Sequence, residues 1–274
     1  CLVGSEMCIR DSNYMLPTAP VTNRLNRDCA ALVKSRVALF EGTWEKYHKG
    51  TAFVPGGPGW PGATMDYLKD FNVNIDSEIR YFLEQAVEAA DIVAKAHPIL
   101  NNDYSAMFNS VDLSGMNEVL LWRKYSLNSE ATSYHFVVSY LQRNGGGNVA
   151  FTRSMVDSYL MKNGLPIYAD NSDYQGDGSY EDLFTNRDPR MEQTILKTGD
   201  LLSDGPNLIE YIKNDGKGYF YRAPIFEGQV ENSNATGYCL RKGLNTSGSM
   251  QTTKESYTGC PIFRAAEAYL NYLE

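Results

Sequence analysis

Between Thr22 and about Lys49, apolar residues fall at Leu25, Cys29, Val33, Val37, Phe40, Trp44 and Tyr47. Steps of three and four mark one stripe of an amphipathic helix, with Thr22 or Asn23 as its cap and Gly50 as its end. The next stretch, TAFVPGGPGWPGATMDY, is too dense in proline and glycine for helix and predicts an exposed loop. A second helix is predicted from a cap at Asp76 or Ser77 through SEIRYFLEQAVEAADIVAKA, stopped by His97-Pro98. It places Ile79, Phe82, Leu83, Ala86, Val87, Ala90, Val93 and Ala94 on one face. Two helices of similar length joined by a loop make a helical hairpin, and the alanines permit close approach of the axes.

Beyond residue 100 the periodicity breaks up. Residues 101–260 carry short apolar runs such as EVLLWRKY, which reads as strand, and HFVVSYL. They also hold a short helical stretch in TRSMVDSYLMKN and a long polar segment, YADNSDYQGDGSYED. This pattern predicts an irregular, loop-rich lobe. Helical spacing returns in PIFRAAEAYLNYLE, where Pro261 suits a first turn and Ile262, Ala265, Ala266, Tyr269, Leu270 and Leu273 share a face. The apolar pattern is still running at Glu274, so 261–274 is read as the start of a further repeat helix in a longer protein.

The first residues change the picture in another way. Cys1 is followed at once by Leu2 and Val3 rather than by the polar tether of a lipid-bearing cysteine. Met7-Cys8-Ile9-Arg10-Asp11-Ser12 resembles the translated end sequence of transposon sequencing adapters, and 1–12 is therefore read as an appended scar. The domain organisation expected is a scar at 1–12, a helical scaffold at 13–100, the inserted lobe at 101–260 and the next helix at 261–274.

A hydrophobic share of 43% and a charged share of 21% describe a globular chain. The net charge of −8, with no basic run, argues against a nucleic-acid partner. No apolar stretch reaches the length of a membrane span. Once 1–12 are set aside, Cys29, Cys239 and Cys260 remain, without C-x-x-C spacing. The 19 tyrosines, 11 phenylalanines and 3 tryptophans stand beside 23 glycines. Aromatic rings in Gly/Asn/Asp-rich loops are either a cover over an aromatic core or a surface on which the apolar C–H face of a sugar can stack.

Motifs for catalysis are sparse. The histidines His48, His97 and His135 lie far apart and match no two-ligand zinc spacing, and His48 and His97 read as satisfied helix-end residues. There is no nucleophile elbow, Walker loop or dinucleotide fingerprint, and the glycine run at 145–147 reads as a turn, so no cofactor is predicted. Asp170, Asp173, Asp177, Glu181 and Asp182 miss the calcium-loop spacing and read more simply as a solvated acidic loop, with calcium left as the alternative. A glycosidase needs two facing carboxyl groups, and no motif here picks out such a pair.

The segments taken together resemble the SusD/RagB family of cell-surface nutrient-binding lipoproteins. AALVKSRVALFEGTWEKYH resembles a helical-repeat segment of that family, and NEVLLWRKYS its buried strand-like run. TRSMVDSYLMKNGLPI is similar to its T-x-x-x-V-D-x-Y-x-x-x-x-G-L-P segment, and NRDPRMEQTI to its N-R-D-P-R motif. TGYCLRKGLN and PIFRAAEAYLNYLE correspond to T-G-Y-x-x-R-K and to P-x-x-R-x-A-E-x-x-L-x-x-x-E, in the family order. The resemblance implies an all-α fold of tetratricopeptide-like helical hairpins with a large irregular lobe inserted between repeats. It implies an outer-membrane, surface-exposed protein, held by an N-terminal lipid anchor that this chain does not show. Such a protein captures an oligosaccharide for a SusC-like TonB-dependent transporter and is not an enzyme. Family members carry an earlier hairpin and further repeats, so the chain reads as the middle of a longer one. Arg187, Asp188, Arg190, Arg264 and Glu267 are expected to form Arg–carboxylate pairs that pin loops to helices. The family motifs do not carry the ligand-binding residues, so these are chosen on chemistry. They are the loop aromatics Trp60, Tyr168, Tyr174 and Tyr180, with Asn171 and Asp173 as hydrogen-bonding neighbours, while Trp44 and Trp122 are assigned to the core. The rival readings are a surface glycosidase and a helical scaffold for protein partners.

Overall fold

The computed structural model describes residues 24–68, 70–125, 150–204, 213–214, 219–220, 236–250 and 256–274. The segment 1–12, the caps expected at Thr22 and Asn23, HFVVSYL with His135, and the glycine run at 145–147 lie outside the described residues. In chain order the elements are helices α1 (Arg27–His48), α2 (Ile75–Ala96) and α3 (Tyr104–Asn109), then strand β1 (Val119–Arg123). Helices α4 (Arg153–Ser158), α5 (Tyr180–Phe184) and α6 (Pro189–Thr194) follow. Strands β2 (Leu201–Ser203), β3 (Lys213–Asn214), β4 (Tyr219–Phe220) and β5 (Cys260–Arg264) precede helix α7 (Ala265–Leu273). The expectation of an all-α chain is corrected by two small sheets, β1 with β5 and the antiparallel set β2-β4-β3, in an otherwise helix-rich fold.

Contacts gather the chain into two units. The first comprises Cys1–Asn101, Ser114–Trp122 and Pro261–Glu274, and the second Asn102–Leu113 and Arg123–Cys260.

In the first unit α1 and α2 form the hairpin. Asn26 caps α1 by accepting from the Cys29 N–H at 2.9 Å, and its amide donates to the Leu120 carbonyl at 3.2 Å. Gly50, at φ 77°, supplies the left-handed residue just past the helix. Helix α2 is capped by Asn74 rather than by Asp76 or Ser77, because its Oδ1 accepts from the N–H groups of both of those residues. Asp76 is left in the first turn, where a negative charge suits the helix dipole.

The face that α1 buries is not the predicted stripe. Ala31, Leu32, Ser35, Ala38 and Gly42 are buried; of the predicted stripe Cys29 joins them and Val33 is half-buried, whereas Leu25, Val37, Phe40, Trp44 and Tyr47 are exposed. The partner surface explains the reversal: α2 presents Ala86, Ala89, Ala90 and Val93. Small residues on both sides let the axes close, and a Cβ on Gly42 would already lie 2.9 Å from Leu83 Cδ2. Cys29, Leu32, Ala90, Val93, Leu120, Ala265 and Ala268 share one cluster, so β1 and α7 complete the core that the hairpin starts. Trp122 is buried as expected at 4% exposure, and Trp44 is not, at 37%.

Pro261 does not begin a helix. It lies in β5, where a missing N–H is tolerated because a strand of a two-stranded sheet has an open edge, and Arg264 in extended conformation precedes the first turn of α7. Helix α7 therefore buries Ala265 and Ala268 and turns Leu270 and Leu273 outward.

The second unit has its own core of Val156, Leu183, Phe184, Met191 and Ile195, against which Phe151, Tyr159, Tyr180 and Tyr238 pack. Its helices are short, so caps define them: Thr152 for α4, Ser179 for α5 and Asp188 for α6, the last with Pro189 at its first position. Cys239 is buried and Cys260 is exposed, and neither forms a disulfide with another described cysteine.

Candidate functional site

The candidate surface lies in the second unit, around two cavities lined by polar and aromatic side chains. The chain leaves α4 and turns at Asn163-Gly164, where Gly164 adopts φ 82° and the Leu165 carbonyl accepts from the Met161 N–H at 2.8 Å. Met161 then bridges antiparallel to Arg187, which brings the N-R-D-P-R segment beside the turn. Asn186 is the one non-glycine residue at positive φ among the described residues, at 56°, and its carbonyl accepts from the Lys162 N–H at 2.8 Å. Asparagine bears that conformation better than most side chains.

Arg187 is the buried anchor beneath this surface, 2% exposed. It was expected to meet a carboxylate; it donates instead to the carbonyls of Val156 at 2.6 Å, Tyr159 at 3.0 Å and Leu183 at 3.5 Å, and its guanidinium lies over the Tyr174 ring at 5.4 Å. Burial among carbonyls lowers its proton affinity, yet a guanidinium has enough to spare to stay charged. The other motif residues do form ion pairs. Arg190 binds Asp188, which also caps α6, and that bond holds the Asp188 carboxyl below its usual range. Arg264 reaches Glu118 at 3.1 Å and Arg36 grips Glu267 through both carboxylate oxygens.

Two cavities adjoin at Tyr180. The first, of about 330 Å³, has Tyr180 and Phe184 among its walls, with Lys162, Glu181, Asn186, Glu192 and Lys197 as polar lining. Glu192 and Lys197 are paired at 2.8 Å, whereas the side chains of Lys162, Glu181 and Asn186 make no hydrogen bond or ion pair among the described residues. The second, of about 320 Å³, is lined by Tyr180, Leu183, Tyr238 and the small residues Gly178 and Gly237. Volumes near 300 Å³ are at the low end for ligand sites. Tyr180 is fixed where it stands: its hydroxyl donates to the Leu196 carbonyl at 2.8 Å, its ring lies 5.4 Å from that of Phe184, and burial pushes its phenol up.

The residues expected to bind ligand are distributed as follows. Tyr168 is 85% exposed, and Asn171 and Asp173 are exposed on the same loop, Asp173 accepting from the Asn163 amide at 3.3 Å. Tyr174 is half-buried, with one ring face under Arg187 and its buried hydroxyl without a hydrogen-bond partner among the described residues. Tyr180 borders both cavities. Trp60 lies in the first unit, half-buried, its ring 5.8 Å from Phe71 and packed over Gly62. Of the acidic loop, Asp177 is bound to Arg153, which also pairs with Asp157. The sequence reading missed Lys162 and Asn186; the signal available was the asparagine at the head of N-R-D-P-R.

Comparison with known proteins places these features in context. No curated protein matches the chain. A crystal structure with xylogluco-oligosaccharide is similar over 98% of this chain and 43% of its own, at 16% identity and a TM-score of 0.52, which is a likeness of fold. The chain thus spans less than half the length of that solved structure. The SusD family model matches residues 117–274. That match covers more than half of the sequence and takes in both the Arg187 anchor and the cavities at Tyr180, and the chain therefore belongs to the SusD family, whose members are carbohydrate-binding, non-catalytic proteins.

Proposed function

We propose that the protein captures an oligosaccharide at the surface of the outer membrane and hands it to a SusC-like TonB-dependent transporter. The observation that carries this reading is the family match over 117–274, the segment that also holds the cavities at Tyr180. The fold likeness to a protein solved with xylogluco-oligosaccharide agrees with it. No described helix is long and apolar enough to cross a membrane, and attachment is assigned to a lipid anchor. In the same reading the α1–α2 hairpin is a tetratricopeptide-like repeat, and the second unit, Asn102–Leu113 with Arg123–Cys260, is the inserted lobe. The loop aromatics Tyr168, Tyr174 and Trp60, with Asn171 and Asp173, are assigned to glycan contact, and Tyr168 has the most open ring of them.

Surface capture by stacking is weak, with Kd between about 1 mM and 1 μM. Calorimetric titration with a panel of soluble oligosaccharides is expected to give binding in that range, with no reducing sugar released on long incubation. Substituting Tyr168→Ala is expected to weaken binding about tenfold at unchanged melting temperature, since about 1.4 kcal/mol is a factor of ten. Sugar release would overturn the assignment in favour of a hydrolase, and absence of binding across the panel would overturn glycan capture.

A further inference from the structure

We infer that the two cavities that share Tyr180 in their linings form one site for a neutral oligosaccharide. The inference rests on the glycan-binding reading and adds to it a location and a chemical class.

A sugar presents hydroxyls that both donate and accept, and an apolar C–H face. The first cavity meets that demand with a donor, Lys162, and an acceptor, Glu181, that are uncommitted among the described residues, and an amide able to do either, Asn186, around walls that include Tyr180 and Phe184. The second cavity supplies the complementary surface: Leu183 and Tyr238 are apolar, and Gly178 and Gly237 leave room beside the ring. Tyr180 is common to both linings, and that shared residue is what makes the two cavities candidates for one site.

The site is also held in shape before any ligand arrives. The Tyr180 hydroxyl is tied to the Leu196 carbonyl, and Ser179 caps the helix that begins with Tyr180. Asn186 is kept in its left-handed conformation by the Lys162 N–H, so the two side chains sit on one hydrogen-bonded bridge. A left-handed non-glycine residue beside a cleft is where strain and ligand contact tend to coincide.

Charge selects the class. Two lysines and two glutamates line the first cavity, and Lys197 is already neutralised by Glu192. The remaining Lys162 is offset by Glu181, so no net positive charge is left for a uronic acid or a sulfated sugar. The whole chain at −8 repels such ligands further.

The test is calorimetric titration of the full chain with xyloglucan heptasaccharide, maltoheptaose and laminarihexaose as neutral probes and trigalacturonic acid as the acidic one. The variants are Lys162→Ala and Asn186→Gly, the latter chosen because glycine keeps the positive φ while removing the amide. Each is expected to weaken the best neutral probe about three- to tenfold, the range set by one lost hydrogen bond, with the melting temperature unchanged. Trigalacturonic acid is expected not to bind. Unchanged affinity in both variants for a neutral probe that the wild type binds would overturn the site and leave glycan capture standing. Tighter binding of the acidic probe would overturn the neutral class. Binding of none of the probes would overturn the glycan reading and this site with it.

Discussion

His97 shows how one side chain can set the behaviour of a whole helical unit. Both ring nitrogens face acceptors, Nδ1 the Asn117 carbonyl at 2.7 Å and Nε2 the Asp28 carboxylate at 3.0 Å, so the geometry demands an imidazolium. The bond to Asp28 is the main cause that raises its pKa, against burial. A group whose folded value lies above its unfolded one stabilises fully below the unfolded pKa, about 6.5, and loses that contribution as pH climbs through the folded value. Glu45 acts with the same sign. Burial first, then repulsion from Glu41 and Glu78, pushes it up to about 7, and its Oε2 has no hydrogen-bond partner among the described residues. The folded state therefore holds the Glu45 proton more tightly than the unfolded chain does, and stability falls as pH rises from about 4.5 through about 7. Melting temperature is expected to decline between pH 5.5 and 8.5. His97→Gln should lower it at pH 5.5 and flatten the slope. Glu45→Gln should raise it at pH 8 by about 2–4 °C and leave it nearly unchanged below pH 5. A rising or flat wild-type profile would contradict both assignments.

Helix α1 carries the lesson at the scale of the element. Periodicity found the helix and nearly its ends, yet chose the wrong face, because a count of apolar positions favours large residues and this contact is made by small ones. Ala38 and Gly42 face α2, and Phe40 points away at 62% exposure. Substitutions on the two faces are expected to behave in opposite ways. Gly42→Val should cost about 1–3 kcal/mol, since its first carbon already presses on Leu83, whereas Phe40→Ser should stay within about 0.5 kcal/mol. Urea titration of the two variants measures both, and a stability loss at Phe40 larger than at Gly42 would restore the stripe read from the sequence. Helix α7 repeats the point: Pro261 looked like a helix start because the sequence does not reveal that β1 lies in wait as a strand partner.

For the molecule as a whole, the order of the motifs was legible and the site was not. The family likeness rests on short segments that each carry their own pattern, and those survive reading in one dimension. The cavities at Tyr180 take residues from 162, from 177–186, from 192–198 and from 236–238, which only bridges such as Met161 with Arg187 bring together. Trp44 was assigned to the core for its spacing, and instead stands in an open aromatic ladder, 6.0 Å from Phe40 and stacked on His48 at 3.9 Å. With Tyr47, Leu270 and Leu273 also more than half exposed, the first unit presents apolar surface that water disfavours. Concentration-dependent association is expected in sedimentation velocity, and the double substitution Phe40→Glu, Leu273→Glu should reduce it. A wild-type chain that stays monomeric at high concentration would contradict this. The distribution of indoles has one more consequence. Trp44, Trp60 and Trp122 all belong to the first unit, so emission excited at 295 nm, where tyrosine barely absorbs, follows that unit and leaves the second dark. A denaturation curve from tryptophan emission therefore reports on the first unit, and comparing its midpoint with that of a whole-chain measurement such as calorimetric heat capacity reveals whether the second unit melts with it.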